Sequence, residues 1–170
     1  CLLGEEVRFN GGHKHSSVCT QDLGEYCEFK SVCPEMGIGL GVPRKPIRLV
    51  GDPKNPRAVG SDDSSIDVTE KLQAFGQATL PQLEDISGYI FMKGSPSCGV
   101  FRVKVYRQSG MPNEEPGAGI FARVIMDKFP LLPVEEAGRL SDPVLKENFI
   151  NRVYAYHDWQ QLKSYGLSIN

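Results

Sequence analysis

The chain carries 170 residues, 40% hydrophobic and 24% charged, with a formal net charge of −2. That size and apolar content suffice for one domain with its own core, and the near-neutral balance excludes a polybasic protein that holds nucleic acid by bulk charge. No apolar run approaches the ~20 residues that a membrane-crossing helix needs.

The first twenty residues, with Gly4, Gly11-Gly12 and His13-Lys14-His15, read as a loop. A short helix is expected over Gln21 to Phe29, with Leu23, Tyr26 and Cys27 on one face. Ser31 to Cys33 reads as a strand stopped by Pro34, because proline gives a ladder no donor. Gly37 to Pro46 is a glycine- and proline-punctuated loop, Ile47 to Val50 alternates like a strand, and Gly51 to Ser65 reads as an exposed excursion. A helix capped by Asp67 or Thr69 should run toward Leu80. Ile86 to Met92 reads as a strand covered on both faces, followed by the loop Lys93 to Gly99. Gly117 to Met126 reads as a helix and Phe129 to Val134 as a strand interrupted by prolines. A last helix starts at Asp142-Pro143, a cap followed by proline at the first helical position, with a stripe of Leu145, Phe149, Val153, Tyr156 and Leu162.

Helices alternating with short apolar strands predict an α/β layer fold with a mostly parallel sheet, whose ligands bind at the carboxyl ends of strands. Residues 1–140 form the expected α/β domain. Residues 141–170 form a C-terminal helix that reads as a connection toward a second domain.

Five cysteines stand at positions 1, 19, 27, 33 and 98. An odd number cannot pair completely, and a chain of this length folds without disulfides, so a reducing cytoplasm is the expected setting. The absence of C-x-x-C argues against a zinc ribbon and a thioredoxin-type pair. Cys1, Cys33 and Cys98 each lie at the edge of an apolar run beside glycine or proline, where a thiol can be aimed out of a core. Cys19 and Cys27 lie in a polar stretch and read as ordinary small residues.

Three thiols from distant segments can ligate a metal or an iron–sulfur cluster, with an incomplete protein ligand set leaving one iron open as a Lewis acid. A single nucleophilic cysteine with His13 or His15 as base is a second chemistry. A third is a non-catalytic metal- or RNA-binding module that uses the cysteines structurally. The residues alone leave these open.

Other groups cluster near the three cysteines in sequence. Gly11-Gly12-His13-Lys14 could wrap an anion with backbone amides, and Arg44, Lys45 and Arg48 gather three cations. Glu28 and Glu35 flank Cys33. Ser95 and Ser97 precede Cys98, where hydroxyls and amides could orient a substrate.

Three segments taken together carry a resemblance. They are Cys1-Leu2-Leu3-Gly4 with Gly11-Gly12-His13-Lys14, then Val32-Cys33-Pro34-Glu35 continuing through Gly39-Leu40-Gly41-Val42-Pro43-Arg44, and Lys93-Gly94-Ser95-Pro96-Ser97-Cys98-Gly99. In this order, over Cys1 to about Pro133, the chain resembles the thiouracil desulfidase family. The resemblance implies a cytoplasmic protein with a Rossmann-like fold and a [4Fe-4S] cluster held by Cys1, Cys33 and Cys98 at strand ends. It implies removal of sulfur from thiolated uracils without net redox change. It further implies Glu28 and Ser95 as the catalytic pair, ahead of Glu35 and Ser97, with Ser97, His13, Lys14, Arg44 and Arg48 toward substrate. Leu132 to Pro143 with Glu147-Asn148-Phe149 resembles longer members that carry a second helical domain and act on 4-thiouridine in tRNA, with Arg44, Lys45 and Arg48 then meeting phosphates. The resemblance also implies a short strand before the first cysteine, a position at which this sequence starts.

Overall fold

A computed structural model describes residues 1–166 as a mixed α/β fold. A hairpin of β1 (Ile47–Asp52) and β2 (Asn55–Gly60) is antiparallel, and β4 (Val105–Tyr106) joins β1 in parallel, giving the order β2-β1-β4. A second, parallel pair joins β3 (Tyr89–Phe91) to β5 (Val134–Glu136). In place of one mostly parallel Rossmann-like sheet, the described residues thus form two small sheets, a three-stranded one of mixed direction and a parallel pair. The helices are α1 (Pro34–Gly37), α2 (Thr69–Thr79), α3 (Ile120–Lys128) and α4 (Pro143–Ser164).

Several expectations shift for local reasons. The excursion expected over Gly51 to Ser65 contains β2, which buries Pro56, Ala58 and Val59. A Pro53-Lys54 turn, with Lys54 N–H donating to Asp52 at 2.9 Å, folds the chain back, and an edge strand tolerates proline. Ser31 to Cys33 pairs with nothing among the described residues. Pro34 opens α1 instead of ending a strand, at a position where its missing N–H has no intrahelical partner to lose. In place of a helix over Gln21 to Phe29, the chain makes a wide turn, Val18–Asp22, closed by Leu23 N–H donating to the Val18 carbonyl. It buries Cys19 and Leu23 and leaves Tyr26 and Cys27 exposed. The strand expected over Phe129 to Val134 begins only at Val134, because Pro130 and Pro133 bring no donors.

Asp67 accepts from the backbone and hydroxyl of Thr69, and α2 starts there as expected. Helix α3 bridges the two sheets. Ile120 packs with Leu49, Ala58, Leu72, Val103 and Val105, whereas Phe121, Ala122 and Ile125 pack with Phe91, Leu83, Val100 and Leu132. Each large apolar side chain so buried contributes about 1.5–3 kcal/mol. Asp142 caps α4 by accepting from Val144 and Leu145 N–H. Of its expected stripe, Phe149 is buried against Leu23 and Leu140, Val153 and Tyr156 are half-buried, and Leu162 is exposed. The end of the segment expected over 141–170 lies outside the described residues.

Candidate active site

Glu35 is where the segments of Cys33, Arg44 and Cys98 meet in space. It is the second residue of α1, two positions after Cys33. Its Oε1 accepts the Ser97 hydroxyl proton at 2.7 Å, and its Oε2 accepts from Arg44 Nε at 2.9 Å and Nη2 at 2.7 Å. The ion pair is largely buried, with the two side chains 7% (Arg44) and 15% (Glu35) exposed. Arg44 also donates to the carbonyls of Gly41 at 2.7 Å and Val7 at 3.0 Å. The Val7 carbonyl in turn meets the Cys33 thiol at 3.9 Å, and Arg44 N–H donates to the Phe9 carbonyl. The N-terminal loop, the Cys33 segment and the Cys98 segment are therefore tied through one carboxylate–guanidinium pair.

The Cys98 loop is shaped by its own hydroxyls. Ser95 Oγ lies 2.9 Å from Ser97 Oγ and accepts from the amides of Ser97 and Cys98 at 3.3 and 3.2 Å. Because Ser97 gives its proton to Glu35, its oxygen accepts from Ser95. The first amides of α3 donate into the same loop: Ile120 N–H to Pro96 and Phe121 and Ala122 N–H to Ser97. Loop carbonyls thus satisfy helix-end donors that would otherwise be orphaned. Glycine at position 119 permits this approach, since a Cβ there would stand 2.5 Å from the Ser97 carbonyl carbon and oxygen. On the Cys33 side, a Cβ at Gly37 would stand 2.2 Å from the Phe75 ring, so α1 seats on α2 only with glycine there.

Two of the three thiols act on one phenol. Burial pushes the Tyr89 phenol up, and the nearby Cys98 and Cys33 sulfurs push it the same way. Burial also raises the Cys98 thiol, Ser95 opposes this by hydrogen bonding, and Glu35 adds to the rise. Cys1, Cys33 and Cys98 are free and half-buried. Cys1 lies on the N-terminal loop, its carbonyl accepting from Gly4 and Lys14 N–H. Cys33 stands at the N-cap of α1 rather than at a strand end. Among the described residues, no three His, Cys, Asp or Glu side chains converge as a single metal ion requires.

The remaining expected residues are placed differently. Glu28 is exposed and, among the described residues, makes no hydrogen bond or ion pair. His13 and Lys14 are exposed; His13 Nδ1 accepts from His15 N–H, and His15 Nε2 lies 2.9 Å from the Thr20 hydroxyl. Arg44 is committed to Glu35 and two carbonyls rather than facing solvent. Arg48 lies over the Tyr106 ring, 5.6 Å from its centroid, with its Nε buried and unpartnered. Sequence reasoning missed Tyr89 and the holding role of Arg44. Only the Pro34 start of a helix, which brings Glu35 into its first turn, was available as a signal for the carboxylate.

A model of the 2-thiouracil desulfurase family matches residues 1–137, a span that includes the three half-buried cysteines, Glu35, Arg44 and both serines. The chain belongs to the 2-thiouracil desulfurase family. Protein YbbK of Bacillus subtilis (strain 168), itself uncharacterised, is 34% identical over 105 residues, covering 58% of this desulfurase-family chain and 69% of YbbK. The solved structure of the [4Fe-4S]-dependent thiouracil desulfidase TudS is similar with a TM-score of 0.65 and 26% identity, over 87% of this chain and 93% of that one. No described helix of this family member is long and apolar enough to cross a membrane.

Proposed function

We propose that this chain is a [4Fe-4S]-dependent thiouracil desulfidase that exchanges the sulfur of a thiolated uracil for the oxygen of water and releases hydrosulfide, with Cys1, Cys33 and Cys98 as cluster ligands. The observation that carries the reading is the hydrogen bond from Ser97 to Glu35, which joins the Cys33 and Cys98 segments and sets a carboxylate between them. The donor set suits such a group: three free thiols, half-buried on separate segments, match the soft ligands an iron–sulfur cluster takes. A cluster bound at separate corners does not ask of its ligands the tight convergence a single ion does. When bound, it would supply a soft Lewis acid to the thiocarbonyl.

The chain's own groups supply the rest. Arg44 and Ser97 fix both oxygens of Glu35, yet an ionised carboxylate offers about four acceptor sites, so Oε1 keeps room for a water. Glu35 takes that water's proton as the oxygen adds to the thiocarbonyl carbon. Ser95, half-buried where Ser97 is fully buried, gives its proton to Ser97 and its oxygen to two amides, so in this reading it borders the pyrimidine ring and holds the loop without donating to the substrate. In this reading the base expected at Glu28 is Glu35. Residues 1–140 form the domain that does this chemistry, with the segment from 141 as a connection, and a reducing compartment keeps the thiols free.

Thiouridine within tRNA is the alternative form of the same substrate, and His13, Lys14, Lys45 and Arg48 would meet its phosphates. A salt-dependent affinity for tRNA that weakens when Lys14 and Lys45 are neutralised supports it, and salt-independent binding counts against it.

Anaerobic assay of Glu35→Gln and Glu28→Gln tests the central role. Loss of an oriented base costs roughly 10²–10⁴ in rate. Glu35→Gln should therefore lose turnover while keeping the cluster absorbance, with Glu28→Gln unchanged. The reverse pattern would return the role to Glu28.

A further inference from the structure

Residues 92–101, which carry Cys98, leave β3 at Phe91 and run toward β4. Both ends of this loop return to the end of β5. At the entry, Phe91 pairs with Glu136 in parallel register and its carbonyl accepts from Ala137 N–H at 3.0 Å. At the exit, the Glu136 side chain crosses to the loop, and its Oε1 accepts from the amides of Val100 and Phe101, each at 3.0 Å. Glu136 is 1% exposed. A buried carboxylate is expensive unless it accepts good hydrogen bonds, so its presence in this interior calls for a task that an apolar residue could not perform. The adjoining Glu135 holds Arg139 at 2.8 Å, and Arg139 lies over the Phe101 ring with its guanidinium 5.0 Å from the centroid. The strand end and its turn thus grip the loop exit twice.

We infer that Glu136 is a positioning residue for the cluster site, clamping the exit of the Cys98 loop so that the Cys98 thiol is held on the loop that Ser97 ties to Glu35. The inference rests on the reading of Cys98 as a ligand. It adds a second carboxylate to the site: Glu35 fixes the loop before Cys98, through Ser97, and Glu136 fixes it two and three residues after. The grip depends on reach and acceptor rather than on charge. Glutamine at 136 keeps a carbonyl oxygen for both amides, whereas aspartate keeps the charge but falls about 1.5 Å short.

The test compares wild type, Glu136→Gln and Glu136→Asp in the full chain. Alkylation of Cys98 and Cys33 by iodoacetamide is followed by mass spectrometry after chelator treatment, with far-UV circular dichroism confirming the fold. Cluster retention after anaerobic reconstitution is read by visible absorbance. Losing the two buried hydrogen bonds should speed Cys98 labelling about tenfold or more in Glu136→Asp, with Cys33 unchanged and cluster retention reduced. Glu136→Gln should match wild type. Equal Cys98 rates in wild type and Glu136→Asp, or a parallel rise at Cys33, would overturn the inference. Hydrogen exchange in the wild-type protein gives an independent check: the Val100 and Phe101 amides should be strongly protected, and rapid exchange there would also overturn it. Cys98→Ser separates the two claims, since undiminished cluster retention in that variant refutes the ligand assignment whereas labelling and exchange judge the clamp.

Discussion

Replacing Arg44 by methionine removes the guanidinium of a side chain that is 7% exposed and makes five polar contacts: two to Glu35, one each to the carbonyls of Val7 and Gly41, and one to the Met36 sulfur. The aliphatic volume is roughly kept, so the loss is chiefly electrostatic. Breaking a buried pair by deleting one partner costs about 3–5 kcal/mol, because the other charge is left without compensation. The Glu35 side chain keeps 15% exposure, and water admitted there places the expected cost near the lower end, about 3 kcal/mol. For a chain of this size, that corresponds to a fall in midpoint of roughly 6–12 °C. The assay is thermal and urea unfolding under anaerobic conditions. Adding Glu35→Gln to Arg44→Met removes the stranded charge, so the double variant should be clearly more stable than the sum of the two single losses. Strict additivity, or a cost for Arg44→Met below about 1 kcal/mol, the range of solvent-screened surface pairs, would refute the buried-pair reasoning.

Three other outcomes follow from local geometry. Gly119→Ala sets a Cβ against the Ser97 carbonyl, and the crowding should cost about 1–3 kcal/mol and impair cluster retention, measured by thermal midpoint and absorbance; an unchanged midpoint would show that the α3 start can move away. Asp142→Ala removes the oxygen that accepts from Val144 and Leu145 N–H and should cost about 1 kcal/mol in urea unfolding, and no loss would mean that α4 needs no cap. At Asp67, burial works against ionisation, but the Thr69 hydroxyl and amide and Arg57 outweigh it and hold the carboxyl below its ordinary value of 3.8. The stability gap between wild type and Asp67→Asn should therefore be complete above that value and disappear as pH falls through the lower, folded-state one. A gap that persists unchanged in strong acid would contradict this.

The family of this chain was more legible in its sequence than its sheets were. The starts of α2 and α4 could be read because Asp67-Val68-Thr69 and Asp142-Pro143 are local signals that need no tertiary partner. The hairpin was hidden because Asn55-Pro56-Arg57 looks like a loop and becomes a strand only by pairing with Ile47–Asp52. β5 was displaced for a related reason: apolar content pointed to Leu131-Leu132, but the ladder needs donors and starts past Pro133.

In the site, Cys33, Cys98, Ser95 and Ser97 could be singled out from their turn-rich settings. Which glutamate accompanies them could not be. Glu28 and Glu35 lie on either side of Cys33 in sequence. Only the α1 turn, seated on Phe75 by Gly37, aims Glu35 at Ser97 and leaves Glu28 in solvent. Glu136 left no sequence signal beyond an acidic pair after an apolar stretch, because its partners are backbone amides 35 and 36 residues away in the chain.

The central claim is most directly tested by incubating anaerobically reconstituted protein with 2-thiouracil and measuring uracil and hydrosulfide together with bound iron and acid-labile sulfide. The account predicts equal amounts of uracil and hydrosulfide. It also predicts iron and sulfide in the proportions of a [4Fe-4S] cluster, with loss of both cluster and turnover in Cys33→Ser and Cys98→Ser. Turnover by iron-free protein, or a cluster retained in full by both serine variants, would contradict it.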